Sequence, residues 1–170
     1  MSIFHKDENT FGRKTRKYNS ILAGEASAKF SLLLGTLASF DCRISELPNE
    51  ELVVDYFRWR NEDASRNALN SHCYWVQRKQ GKAVSEAAEY LIRKSVAEKN
   101  EFLFQSGVNF NDLPNWQKRS IGLYWKDIEG KGKNEKTLEE TTFTRRQIFA
   151  DMALPMKDEY AAFMRKILAE

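Results

Sequence analysis

Cysteine and histidine are almost absent from this sequence, with two of each in 170 residues. Cys42 and Cys73 lie far apart, and neither has a further Cys or His at metal-ligand spacing, so neither a disulfide framework nor a zinc signature is present. With only His5 and His72 there is little material for a histidine-based catalytic triad. No apolar run reaches the roughly 18 residues of a membrane span. The start, from Met1 to Glu8, lacks the long apolar stretch of a secretory signal, so a cytoplasmic location is expected. Phosphate-binding glycine loops, dinucleotide fingerprints and nucleophile elbows are also missing, as are internal repeats and low-complexity tracts.

What the chain does hold is apolar material: 42% of residues are hydrophobic and 12% aromatic, enough for a real core. Its net charge of +3 permits a polyanionic partner without demanding one. The distribution is more telling. Between Phe11 and Asn19 stand Arg13, Lys14, Arg16 and Lys17 with no acid among them, which makes a local anion-seeking patch.

Hydrophobic periodicity predicts a helix from Thr10 to about Leu34, stopped by Gly35. The cations Arg13, Arg16 and Lys17 fall away from its apolar stripe, and Lys14 lies on the flank. A solvated helix face would look the same. Residues 39–47 alternate, with Phe40, Cys42 and Ile44 opposite Asp41, Arg43 and Ser45, and predict a half-buried strand. Asn49 predicts the cap of a following helix, Asp63 the cap of another ending near Gly81, and a short helix follows Ser85. Ser95 and Glu98 form a capping-box pattern opening a helix that stops at Gly107. Residues 108–114 read as an Asn-rich ordered loop. Residues 121–125 and 142–149 predict strands around the Gly/Lys-rich connection 130–134, and an amphipathic helix closes the chain. Helices and strands do not alternate as βαβ units, so the expected class is α+β.

Several stretches together resemble the tRNA-His guanylyltransferase superfamily, and its tRNA-repair branch in particular. They are FGRKTRKYNSILAG (11–24), ASAKF (26–30), SFDCR (39–43), DYFRWR (55–60), DASRN (63–67), EKNE (98–101) with Leu103 and Phe104, VNFN (108–111) and LPNWQKR (113–119). They run in family order over roughly residues 11–125. The resemblance implies an incomplete polymerase-palm-like antiparallel sheet flanked by helices. Residues 1–125 would be the carboxy-terminal part of that palm, and 126–170 a hairpin and terminal-helix extension. It further implies a nucleotidyltransferase that adds nucleotides to the 5′ end of tRNA in the 3′-to-5′ direction, using ATP, GTP and Mg2+. An oligomer, tetrameric in the family, or a complementary amino-terminal chain is the expected partner besides tRNA and nucleoside triphosphates.

By the same resemblance, Lys14, Lys17, Arg43, Lys99 and Asn109 match nucleotide-handling positions. Arg13, Arg16, Asn67, Lys118 and Arg119 are candidates for tRNA contact. Plainer roles stand beside these: a solvated helix, an Arg43–Asp41 ion pair, a loop-stabilising Asn109 and a solvated Lys118–Arg119 pair. Two departures bear on function. The family's two metal-binding aspartates sit in Asp-Gly and Ser-Asp-Glu motifs that this sequence does not contain, so no catalytic or metal-ligating residue is assigned, and neither Asp7 nor Glu8 fills the role. The expectation is a chain inactive alone: an isolated piece, a truncated frame, or half of a split enzyme. A non-catalytic nucleotide- or RNA-binding module is the alternative. Where eukaryotic enzymes carry a His-x-Asn-Asn motif this chain reads Ser65-Arg66-Asn67-Ala68, which favours repair of several tRNAs over tRNA-His alone.

Overall fold

The structure, a computed structural model, describes residues 2–133 and 140–169. The chain divides into two compact units, Met1–Glu50 and Glu51–Glu170. Among the described residues the class is α+β, as expected, with six α-helices and one two-stranded antiparallel sheet.

In the first unit the predicted helix from Thr10 is interrupted. A 3-10 turn at Thr10–Arg13 precedes α1, Thr15–Leu34, and within that turn Phe11, Gly12 and Arg13 all take positive φ, near +58°, +58° and +55°. Three left-handed residues in a row cannot continue a right-handed helix. Helix α1 ends where expected, at a left-handed Gly35 whose N–H donates to the Ser31 carbonyl. Its one buried residue is Tyr18, covered by the rings of Phe4 and Phe11. Beyond Gly35 the chain folds back along α1. Ser31 Oγ accepts from the Ala38 N–H, Ser27 Oγ accepts from the Phe40 N–H, and the rings of Phe30 and Phe40 meet edge to face.

The strand expected at 39–47 is not formed. The alternation holds in part, with Cys42 and Ile44 half-buried and Asp41, Arg43 and Ser45 exposed, but Phe40, read with the inner face, is also exposed, and no ladder is present among the described residues. A strand is defined by its neighbours, and among the described residues this segment has none to pair with.

The second unit is organised by α2, Glu50–Lys79, in place of the two separate helices expected there. Asp63 lies inside it. A helix of 30 residues is about 45 Å long, so α2 serves two cores. Towards its start, Val54 packs with Leu154, Tyr160, Ala161 and Met164, the last three from the terminal helix α6, Lys157–Ala169. Towards its end, Leu69 and Cys73 pack with Leu103 of α4, Val96–Gln105, and with Phe110. Glu51 clasps Arg165 of α6 through two hydrogen bonds of 3.0 and 2.8 Å.

Helix α3, Val84–Ile92, precedes α4, whose cap is the one expected: Ser95 Oγ accepts from the Glu98 N–H, and the Glu98 carboxylate accepts from the Ser95 N–H. The loop at 108–114 contains a 3-10 turn at Phe110–Asp112 and leads into the short α5, Asn115–Arg119. The two final strands are longer than expected. Strand β1, Gly122–Lys133, pairs in register with β2, Glu140–Asp151. Residues 130–133, read as connection, are strand; Asn134 lies outside the described residues. The ring of Phe143 lies across Gly130, where a Cβ would stand 2.5 Å from its tip, so any larger residue there would push the exposed ring aside. Strand β1 runs through the 125–126 boundary expected between palm and extension.

Candidate functional site

The first unit carries the basic patch at the start of α1. Lys14 holds the N-cap position, and the first turn contains Arg16 and Lys17 but no acid. A helix N-terminus carries partial positive charge and unsatisfied N–H groups, so cations there oppose the dipole while an anion is welcomed by both. Among the described residues Lys14, Arg16 and Lys17 enter no ion pair, and all three are exposed. Arg13 is differently employed. Its guanidinium donates to the carbonyls of Lys6 (3.0 Å) and Glu8 (2.6 Å), holding the left-handed turn that aims α1. Hydrogen bonds from the hydroxyl and the N–H of Thr10 hold the Glu8 carboxyl below its usual pKa. In the same unit Arg43 pairs with Asp41 at 3.4 Å, both highly exposed, which is the plainer role foreseen for it.

The acids of this unit do not fit a metal centre. Asp7 lies beside His5, Glu8 accepts from Thr10, Asp41 faces Arg43 and Glu46 accepts from Thr15. Among the described residues no three His, Cys, Asp or Glu side chains gather to hold an ion. Two carboxylates converging on one point would be needed to place metal ions on a phosphoryl group.

The remaining candidates belong to the second unit. Lys99, on α4, lines an open pocket of about 490 Å³ with Asn70, Ser71 and Tyr74 of α2 and Leu91 and Ile92 of α3. The Lys99 carbonyl accepts from the buried Cys73 thiol at 3.5 Å, and burial raises that thiol's pKa. Asn109 accepts from the Asn111 N–H and donates to Asp112, so its side chain holds the 3-10 turn. Asn67 donates to Asp63 at 3.2 Å, and Asp63 also faces Arg60 at 3.1 Å and Arg66 at 3.4 Å.

Lys118 and Arg119 form no solvated pair. Lys118 is 7% exposed; its ammonium donates to the Asn111 carbonyl and lies over the Phe110 ring, and burial lowers its pKa. Arg119 donates to the Leu154 carbonyl. Both head groups therefore serve the fold.

The sequence reading missed two features. Asp63 organises α2 from within, although Arg60, Arg66 and Asn67 at helical spacings of three and four residues signal it. Asn70, Ser71 and Tyr74 join Lys99 across helices, and only their common helical face hints at that.

Comparison with known proteins agrees with this geometry. Residues 51–158 match the family model described as the Thg1 C terminal domain. The tRNA(His) guanylyltransferase 1 of Arabidopsis thaliana is 28% identical over 144 residues, covering 79% of this chain and 25% of the relative. The Neurospora crassa tRNA(His) guanylyltransferase is 30% identical over 135 residues, 72% of this chain and 46% of the relative. The chain thus spans between a quarter and about half of these relatives. Among solved structures, a bacterial tRNA(His) guanylyltransferase-like protein in complex with GTP aligns with TM-score 0.59 and 25% identity over 99% of this chain and 64% of that one. The Saccharomyces cerevisiae tRNA(His) guanylyltransferase gives the same score and identity over 67% and 56%. The match over 51–158 exceeds half of the chain, and the protein belongs to the tRNA(His) guanylyltransferase family, of which it carries the carboxy-terminal domain.

Proposed function

We propose that this chain is the nucleotide- and tRNA-holding part of a guanylyltransferase-like nucleotidyltransferase that adds nucleotides to the 5′ end of tRNA in the 3′-to-5′ direction. The observation that carries this is the start of α1, where Lys14, Arg16 and Lys17 stand exposed, without ion pairs among the described residues, at the positive end of a helix with no acid in its first turn. Such an arrangement is costly to the fold and suited to a triphosphate. In the first unit Lys14 and Lys17 would hold the phosphates of GTP or ATP, with Arg43 as a further nucleotide contact; in the second, Lys99 would be a nucleotide contact in its own pocket. Arg16 in the first unit and Asn67 in the second would touch tRNA, and Asn109, a nucleotide-handling candidate, would also keep its own loop in shape. Arg13, Lys118 and Arg119 are left to the fold, because their head groups are already used. Mg2+ would clamp attacking and leaving oxygens in such a reaction. The carboxylates described above do not fit that role, so no step is assigned to it here. The setting is cytoplasmic, and the partners are tRNA and a second polypeptide or further copies.

Titration with GTP at two salt concentrations tests this reading. Lys14→Ala and Lys17→Ala should each weaken binding by roughly 1–3 kcal/mol, the range for charge-assisted hydrogen bonds, with the loss shrinking as salt rises. Equal affinities for wild type and both variants would reduce the patch to solvated surface.

A second reading, a binding module without chemistry of its own, is favoured by the scattered carboxylates. Incubated with 5′-truncated tRNA, ATP, labelled GTP and magnesium, the chain alone should incorporate no label. Incorporation would refute this and point to ligands outside the pattern described.

A further inference from the structure

Near the end of α2, Trp75 is 60% exposed, and its ring meets the Tyr74 ring edge to face at 5.4 Å. Arg78 and Lys79 stand three and four positions on, so they share its face of the helix. Side chains on a helix lean back towards its start, which brings both head groups towards the turn that carries Trp75. At Gly81, with φ near +87°, the chain reverses. The Lys82 N–H donates to the Gln77 carbonyl, and the Arg78 guanidinium donates to the Lys82 carbonyl at 2.6 Å. One indole and three cations are thereby gathered at one end of the helix.

Part of this has a plain explanation. Cations in the last turn complement the negative end of a helix, and one nitrogen of Arg78 holds the turn. The remainder is not explained that way. Residues 64–85 contain no Asp or Glu, and the first acid beyond them, Glu86, accepts from the Ala83 N–H at the start of α3. Among the described residues Arg78, Lys79 and Lys82 enter no ion pair. Trp59, earlier on the same helix, shows the contrast: the cation over its ring is Arg60, which faces Asp63. A ligand suited to the Trp75 end must offer negative charge and a flat apolar face together. A nucleic-acid strand does so, with phosphates along its backbone and bases whose π-faces stack on aromatic side chains. A duplex keeps those faces inside its own stack. An anionic bilayer asks for a broad apolar face, whereas one turn to either side of Trp75 stand Ser71, His72, Arg78 and Lys79, all polar.

We propose that the end of α2 is a binding site for an unpaired stretch of RNA, with Trp75 stacked on a base and Arg78, Lys79 and Lys82 on the flanking phosphates. That the nucleic acid is RNA rests on the tRNA reading above; the site itself does not depend on the cations of α1. Tyr74 continues it towards the Lys99 pocket, which it also lines, so the strand runs past a site read as taking a nucleotide. Recognition here is of single-stranded character and not of sequence, because every base has a π-face.

Fluorescence anisotropy of a labelled RNA of about ten nucleotides, made of A and C so that it cannot pair with itself, tests the proposal. The comparison is the same strand annealed to its complement. The full chain should bind the single strand at least about fivefold more tightly than the duplex. Trp75→Ala should weaken strand binding about tenfold and leave duplex binding within about twofold. Trp75→Tyr, which keeps a stacking ring, should stay within about threefold of wild type. Lys79→Ala combined with Lys82→Ala should weaken binding and flatten its salt dependence, the log–log slope falling by about 1.4 for two lost phosphate contacts. All these variants should bind GTP as wild type does. A loss of GTP affinity in Lys14→Ala, with no effect of Trp75→Ala on RNA, would sink this site and leave the reading of α1 standing. Equal strand affinities for wild type and Trp75→Ala, no preference for strand over duplex, or a loss in Trp75→Tyr as large as in Trp75→Ala would each overturn the proposal. A chain that ignores RNA but binds phosphatidylserine vesicles through Trp75 would overturn it in favour of a membrane surface.

Discussion

The two units differ in what holds them together. Of the described buried hydrophobic residues, only Tyr18 lies in Met1–Glu50; the other ten lie in Glu51–Glu170. The first unit has little core of its own: Leu32 and Leu33 at the end of its helix, and Leu37 just beyond it, are more than four-fifths exposed. Yet that unit carries, at the positive end of a helix, a run of cations without an acid beside it among the described residues, Lys14, Arg16 and Lys17, whereas in the second unit Arg60 and Arg66 face Asp63, Arg165 faces Glu51 and Lys118 faces a carbonyl. Clustered charge without a partner among the described residues is charge suited to a ligand, and this cluster sits where packing contributes least. The second unit behaves as the scaffold.

The largest effects should therefore fall on one side of this division. Leu103 is fully buried between α2 and α4, and Leu103→Ala should cost about 2–5 kcal/mol, the range for a leucine truncated in a core. Thermal unfolding should show a lowered midpoint for the second unit. Tyr18→Ala should leave that midpoint in place and raise hydrogen exchange only in α1, whose start it anchors against Phe4 and Phe11. If Tyr18→Ala shifted both units equally, the division would be wrong.

A smaller effect probes the turn that aims the cations. Gly12 has φ near +58°, and a Cβ there would meet nothing within 4 Å, so Gly12→Ala adds backbone strain and no clash. The cost should be about 1–2 kcal/mol, confined to the first unit, with weaker GTP binding because Lys14 and Lys17 lose their placement. Gly12→Asn should be milder, since asparagine tolerates the left-handed region. Equal affinities for wild type and Gly12→Ala would show that the turn does not position the site.

Local signals survived folding, and remote ones were not legible. Gly35, the Ser95–Glu98 box and the hairpin strands were readable because each depends on residues a few positions apart. The alternation at 39–47 was equally clear, but a ladder depends on what lies alongside, and the sequence of the segment cannot supply that. Asp63 looked like a cap because a short acid competes for backbone N–H groups; within α2 its neighbours Arg60, Arg66 and Asn67 satisfy it instead. Lys118 and Arg119 looked solvated because their partners are carbonyls, at Asn111 and Leu154, which carry no sequence signature. For the candidate site, the cluster at α1 was visible as charge without acids. The pocket around Lys99 came from three helices meeting, and no short motif encodes that.

The smallest effect concerns the cap of α4, which belongs to the scaffold but is set by titratable chemistry. Hydrogen bonding from the Ser95 N–H, then from Lys94 and the Ser95 hydroxyl, holds the Glu98 carboxyl at a pKa of about 2. In an unfolded chain a glutamate titrates near 4.3. The folded value lies below the unfolded one, so the carboxylate's contribution is fully present above pH ~4.3 and is lost as pH falls towards ~2. Ser95→Ala removes the hydroxyl that accepts from the Glu98 N–H and should cost about 1 kcal/mol at neutral pH. Glu98→Gln keeps the shape of the reciprocal bond to the Ser95 N–H but removes the charge, so its stability should not change through that window on account of this position. Thermal midpoints of wild type and Glu98→Gln, followed from pH 7 down to pH ~2, should start apart and converge. A constant gap would mean that the Glu98 carboxylate contributes through packing alone, and that α4 is capped by Ser95 without help from charge.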